Sequence, residues 1–406
     1  VKQVLIVLVV ASAMAVVVWV LSPWKPSAAS KPASASEEPS TATPFPLSSI
    51  TQNQEPGPKG RGMAVKLPNQ VNDSFATTES LLRHLKETLA QRGDLPPGEI
   101  SAALEATRNS FLELPPDEAA AALIAELESG IDLQTGLPLL PGSGGSLAAS
   151  STYRVALLDW LGQSSPTDAL AYSRQVLQQT TSPDEYALAM RNIAWAKEST
   201  SGDAELTAAF NEMLSRPDWL ISPSRGYLEA IDVAVAVGGA DMLRQIASLV
   251  GMRDGTTHPA DFAASLALDR MLLRQPELVT STLAGDPTFL DWSPKARARL
   301  MSRSDIRQPV QKEALYRYLS NPAISSAELA EFGKRFPNLS FIRGNRLVTT
   351  DVPLSSFRGI DEPSLNVIAQ WRSDPALQHA EPALEEINRR LQFGNVPRAR
   401  PPSEGE

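Results

Sequence analysis

SPTDALAYSRQVLQQTTSPDEYALAMRNIAWA, residues 165–196, decides how the chain is read. Ser165-Pro166 opens a segment whose buried-face positions Ala169, Leu170, Ser173, Val176 and Leu177 recur at helical spacing, and Ser182-Pro183 opens another with Tyr186, Met190 and Ile193. Residues at i, i+3, i+4 and i+7 share one face of a helix, so each segment predicts a helix with a single packed side. Proline has no N–H to leave unpaired and its φ is preset for a helix, so it is tolerated at the first helical position, and a preceding Ser, Asp or Asn can cap. The two prolines stand 17 residues apart, at 166 and 183. That allows a helix of about three turns and a brief connection, hence an antiparallel hairpin.

The rhythm continues in both directions. Ser222-Pro223, His258-Pro259, Gln275-Pro276, Asp286-Pro287, Ser293-Pro294, Asn321-Pro322, Asp374-Pro375 and Glu381-Pro382 all precede apolar stripes, and Leu82, Leu85 and Leu89 or Leu384, Ile387 and Leu391 extend the pattern to both ends. Strand-like alternation is almost missing. The expected fold is all-α: an irregular α-solenoid or helical-hairpin array behind one N-terminal transmembrane helix. It resembles TPR-like or HEAT-like proteins in architecture only, since no segment accepts the TPR or ankyrin consensus.

The first residues carry a different signal. Residues 4–21 are almost wholly Val, Leu, Ile, Ala and Met, and as a helix would run about 27 Å at roughly 1.5 Å per residue, close to a bilayer's hydrocarbon thickness. Trp19 and Trp24 fall at the distal end, where amphipathic rings favour the headgroups, and Pro23 stops the helix. The expected order is a short tail (1–3), a signal anchor (4–21), a disordered Pro/Ser/Ala-rich tether (22–70), a small N-terminal helical part (71–129), a Gly/Pro loop acting as a boundary (130–147), the main helical array (148–393) and a disordered C-terminal tail (394–406). A single-pass membrane protein with its large domain outside the cytoplasm follows, periplasmic in a Gram-negative cell. The competing expectation is a secreted protein, with Ser27-Ala28-Ala29 or Ala33-Ser34-Ala35 as the cleavage site of a signal peptide.

Composition removes several function classes. The 406 residues contain no Cys and only three His, at 84, 258 and 379, which excludes thiolate chemistry and leaves little for a metal site. A net charge of −9 argues against general nucleic-acid binding. No catalytic residue, cofactor or metal ligand is assigned. Gly142-Ser143-Gly144-Gly145-Ser146 lacks the Gly-Lys-Ser/Thr ending of a phosphate loop and reads as a flexible loop. Ser22-Pro23-Trp24-Lys25 matches Ser-x-x-Lys without the partner motifs of the acyl-transfer enzymes that carry it. Glu198-Ser199 invites comparison with lytic transglycosylases, but their Gly-Leu-Met-Gln pattern is missing downstream.

One electrostatic feature remains. Residues 295–358 hold 12 basic against 5 acidic side chains in a chain that is otherwise acidic. Lys295, Arg299 and Arg303 follow i, i+4, i+8 and are expected to share a helix face that offers three cations to an acidic partner. Trp160, Trp195, Trp219, Trp292 and Trp371 are expected to anchor helix packing. The residues between Pro337 and Pro363, with Phe341, Ile342, Leu347 and Val348, are expected to pack as an extended segment against the helices. Together these point to a non-enzymatic, membrane-tethered helical scaffold that binds another protein, with a cell-wall glycan enzyme or accessory and a structural envelope protein as the competing readings.

Overall fold

Proline places many of the helices. The computed structural model describes residues 78–197, 200–253, 256–338, 346–350 and 359–393; the expected anchor, the tether, Glu198-Ser199 and the 394–406 tail lie outside them. Eight α-helices begin on proline, at Pro97, Pro116, Pro166, Pro183, Pro217, Pro276, Pro294 and Pro309. Pro375 opens a 3-10 turn, and Pro382 takes the second position of its helix. Pro223, Pro259, Pro287 and Pro322 sit instead in the turns ahead of their helices. Capping is mixed: Ser182 accepts from the Glu185 N–H at 3.3 Å and Ser224 from the Tyr227 N–H at 3.1 Å, whereas Ser165 turns its hydroxyl to Asp168 at 2.6 Å.

Seventeen α-helices are present among the described residues. Three come first: α1 (Thr78–Ala90), α2 (Pro97–Leu112) and α3 (Pro116–Glu128). After a short hairpin of β1 (Leu140–Pro141) and β2 (Leu147–Ala149) follow α4 (Tyr153–Ser164), α5 (Pro166–Gln179), α6 (Pro183–Ala196), α7 (Ala204–Leu214), α8 (Pro217–Ile221), α9 (Arg225–Val237) and α10 (Gly239–Ser248). A second small ribbon, β3 (Met252–Arg253) with β4 (Thr256–Thr257), leads to α11 (Asp261–Arg274), α12 (Pro276–Gly285), α13 (Pro294–Met301), α14 (Pro309–Ser320) and α15 (Ser326–Arg335). The last two are α16 (Asp361–Trp371) and α17 (Glu381–Phe393). Among these residues no helix is long and apolar enough to cross a membrane.

The helices form two rows. α4, α6, α9, α11 and α13 pack in succession as an inner row, and α5, α7, α10 and α12 alternate with them along the chain as an outer row. The expected all-helical array is therefore present. Inner helices are buried nearly all round: on α6 every residue from Glu185 to Ala194 is buried. Fully burying a Leu or Val contributes about 1.5–3 kcal/mol, so this row supplies much of the array's cohesion. Asp184 joins the N-terminal ends of three of the row's helices, α4, α6 and α9. Its carboxylate accepts from the hydroxyls of Ser151, ahead of α4, and Ser224, ahead of α9, both at 2.5 Å, and from the Gly226 N–H at 3.0 Å. An anion is well placed there, since helix N-termini carry unpaired N–H groups and positive partial charge.

The 130–147 loop departs from expectation. α2 and α3 pack directly on α4, and the described residues belong to one compact unit, so the loop does not divide two helical parts. Its backbone is tied down instead, with Thr135 Oγ1 donating to the Ser150 carbonyl at 2.5 Å and β1 pairing with β2.

Candidate functional site

The inner row carries charged side chains among its apolar ones. Asp159 (α4), Arg191 (α6), Glu229 and Asp232 (α9), and Asp269 and Arg270 (α11) are all buried. Two loop segments of the same chain cover most of them. The first is the tip of the β1–β2 hairpin: the Leu147 N–H donates to Asp159 Oδ1 at 3.1 Å, and Arg191 Nη1 donates to the Gly145 carbonyl at 3.0 Å. Arg191 also pairs with Asp159 Oδ1 at 2.5 Å, and its guanidinium lies 3.9 Å from the centre of the Trp195 ring. Asn192 fixes the fork, accepting from Arg191 Nη2 at 2.8 Å and donating to the Leu158 carbonyl at 3.0 Å.

The second segment is residues 346–350, which belong to no helix or strand. The N–H groups of Val348 and Thr349 both donate to Asp232 Oδ2, at 2.8 and 2.7 Å, and the Thr349 hydroxyl donates to Asp232 Oδ1 at 2.5 Å. Arg270 Nη1 donates to that hydroxyl at 2.8 Å, so Thr349 bridges a cation and an anion. One turn earlier on α9, Glu229 accepts from the Arg346 backbone N–H and pairs with Arg225 at 2.6 Å. Leu347 is 0% exposed. Of the stretch expected to pack as an extended segment, Leu347 and Val348 do pack against the helices, but the backbone bends at both, and Phe341 and Ile342 lie outside the described residues.

The two segments meet at Gly145. Its φ of +85° suits glycine, and a Cβ there would run into the Leu347 carbonyl and the Trp195 ring. At Gly145, then, close approach demands the glycine.

Burial dominates the electrostatics. Removal from water pushes Asp232 and Glu229 above the usual carboxylate range, partly opposed at Asp232 by the donors of Thr349 and Val348 and at Glu229 by Arg225. Burial likewise raises Asp159 against the pull of Arg191, and lowers Arg191 against the pull of Asp159.

The basic trio of the sequence is arranged differently from expectation. Lys295 is exposed on α13. Arg299 Nη2 donates to the Ser265 carbonyl at 3.1 Å and lies 3.8 Å from Asp269. α13 ends at Met301, so Arg303 lies past the helix; it is 8% exposed and sits 3.1 Å from the same Asp269 oxygen. The three do not present one outward face, because the helix stops short and Asp269 draws two of them inward. Arg303 also lines a cleft of about 460 Å³ with Glu277, Asp305 and Gln308, where charges of both signs meet. Among the described residues no group of three or more His, Asp or Glu could hold a metal ion. The tryptophans do serve packing: Trp160, Trp219 and Trp371 are buried, and Trp292 Nε1 donates to the Val250 carbonyl at 2.7 Å.

The buried charges of the inner row escaped the sequence reading, though a signal existed. Arg191 stands alone in Tyr186-Ala-Leu-Ala-Met-Arg-Asn-Ile-Ala-Trp195, and Asp232 in Ala230-Ile-Asp-Val-Ala-Val-Ala-Val237. A lone charge in an apolar helix must be paired or expelled. Comparison of the chain with protein-family models, characterised proteins and solved structures finds no match.

Proposed function

We propose that the chain is a non-enzymatic helical scaffold, carried outside a membrane by its apolar residues 4–21, that holds a short stretch of a partner protein along the inner row. One observation carries the binding half of this reading: Glu229 and Asp232, one turn apart on α9, take up three backbone N–H groups of a short segment that bends around them. Carboxylates buried in this way read peptide groups, the common feature of all protein ligands. A glycan-cleaving site needs two carboxyl groups on opposite sides of the scissile bond, about 5 to 9.5 Å apart. Glu229 and Asp232 flank nothing, since both lie on the same side of the segment they bind. The membrane half rests on the length and apolar composition of residues 4–21 and the proline-rich stretch after it.

Chemical crosslinking in intact membranes, followed by affinity capture of the chain, should recover one defined protein. Repeated recovery of none from folded protein would overturn the scaffold reading. Deleting residues 4–21 should move the chain from the membrane fraction to the soluble one.

A further inference from the structure

The groove over α9 and α11 is filled by the chain's own residues 346–350, and the way it holds them specifies what else would fit. We propose that this segment is an internal stand-in for the partner: the groove takes a segment of another protein that bends in the same way and carries the pattern Leu-x-Thr or Leu-x-Ser, and 346–350 leaves as it enters. This rests on the scaffold reading and names the partner's chemistry.

Three features support exchange. Much of the recognition is of main chain, through the N–H groups of Arg346, Val348 and Thr349, and any peptide that makes the same bend at its second and third residues offers those groups. Selectivity comes from two side chains: Leu347, fully buried, and Thr349, whose hydroxyl gives a proton to Asp232 and accepts one from Arg270. Only a hydroxyl does both in that position. Finally, the segment belongs to no helix, so its departure costs the array no element.

An empty groove is a poor alternative state. Among the described residues the hydrogen bonds to Asp232 all come from Val348 and Thr349, and a buried carboxylate stripped of its donors is strongly penalised. Replacement by a second peptide avoids that penalty. A tethered competitor also weakens the apparent affinity of the incoming one: a groove open about 1% of the time lowers it about 100-fold.

The test uses the full chain and a fluorescent peptide of residues 344–352, GNRLVTTDV, read by anisotropy. The Leu347→Ser/Thr349→Ala variant, whose own segment is weakened, should bind this peptide about 100-fold more tightly than the wild type does. Adding Asp232→Asn should abolish the gain, and a peptide carrying Ser and Ala at the same two positions should not bind. A folded variant that binds the peptide no better than wild type makes 346–350 a fixed part of the fold and overturns the proposal. If that variant does not fold, the wild type decides: the Val348 and Thr349 amides should exchange faster with deuterium when excess peptide is present, and unchanged exchange overturns the proposal. Dimers that the peptide dissociates would give the groove to 346–350 of a second copy and overturn the assignment to a partner. A partner captured equally from wild type and variant, and not displaced by the peptide, sinks the exchange and leaves the scaffold standing. Peptide exchange with no captured partner does the reverse.

Discussion

Asp159 on the inner row and Glu205 on the outer row are both paired with arginine, yet their surroundings push them in opposite directions. Glu205 stays in contact with water, held by Arg174 at 2.7 Å and Lys197 at 2.9 Å, and is pulled down to about 2, first by the Arg174 hydrogen bond. Asp159, 1% exposed, is raised by burial despite Arg191 at 2.5 Å. A partner of the same kind therefore wins where solvent remains and loses to desolvation where it does not. The inner charges add little net stability and fix where the two covering segments lie, whereas the outer ones are cheap to form and cheap to lose.

The largest break in this contrast should come from Arg191→Met. It leaves Asp159 buried without its cation, which typically costs about 3–5 kcal/mol, measured by urea unfolding at neutral pH. Asp159→Asn added to it should restore part of the loss, because the remaining group is neutral and still accepts from Leu147. If the double variant is no better than the single, the inner pair is not an isolated charge problem.

Gly145→Ala comes next, at about 2 kcal/mol, from a left-handed φ and the crowding of the Leu347 carbonyl. Exchange at Val348 and Thr349 should speed up with it, since the hairpin and 346–350 share that contact. Loss of stability without faster exchange would separate the two segments.

The rows should also differ in their response to acid. Asp232 and Glu229 have raised folded values, so their contribution is fully present below the unfolded values of 3.8 and 4.5 and fades as pH rises through the folded ones. Glu205 is depressed, so its contribution is complete above 4.5 and is lost as pH falls towards about 2. Melting curves from pH 7 to 5 should therefore show Asp232→Asn losing ground relative to wild type as acid is added, because the variant lacks the gain from protonation. Glu205→Gln should show no such divergence in that interval. Its effect at pH 7 is the smallest of the set, a melting shift of about 1–2 °C that disappears in high salt.

The hairpin array was legible because its signals are local. Proline at a first position and apolar residues three or four apart act within one turn, and they located α5, α6, α12 and α13 before any contact was known. Where the signal depended on a neighbour, it failed. Arg299 and Arg303 obey helical spacing, but α13 ends at Met301 and Asp269, on another helix, sets their direction. The 130–147 loop has the composition of a linker, and its role comes from Asp159 and Arg191, whose side chains bond Leu147 and Gly145. The groove escaped for the same reason: nothing in the residues around Asp232 states that 348 and 349 will arrive.

That separation of 116 and 117 residues sets an order of events during synthesis. Neighbouring helices can pair as soon as they emerge, since their contacts are short in sequence, whereas closing a long loop must await its far end. A ribosome making this chain will have delivered α4 to α15 before residue 348 appears. Until then Asp232 lacks the donors of Val348 and Thr349, and the nascent array passes through an interval in which its groove is open to any other segment that offers them.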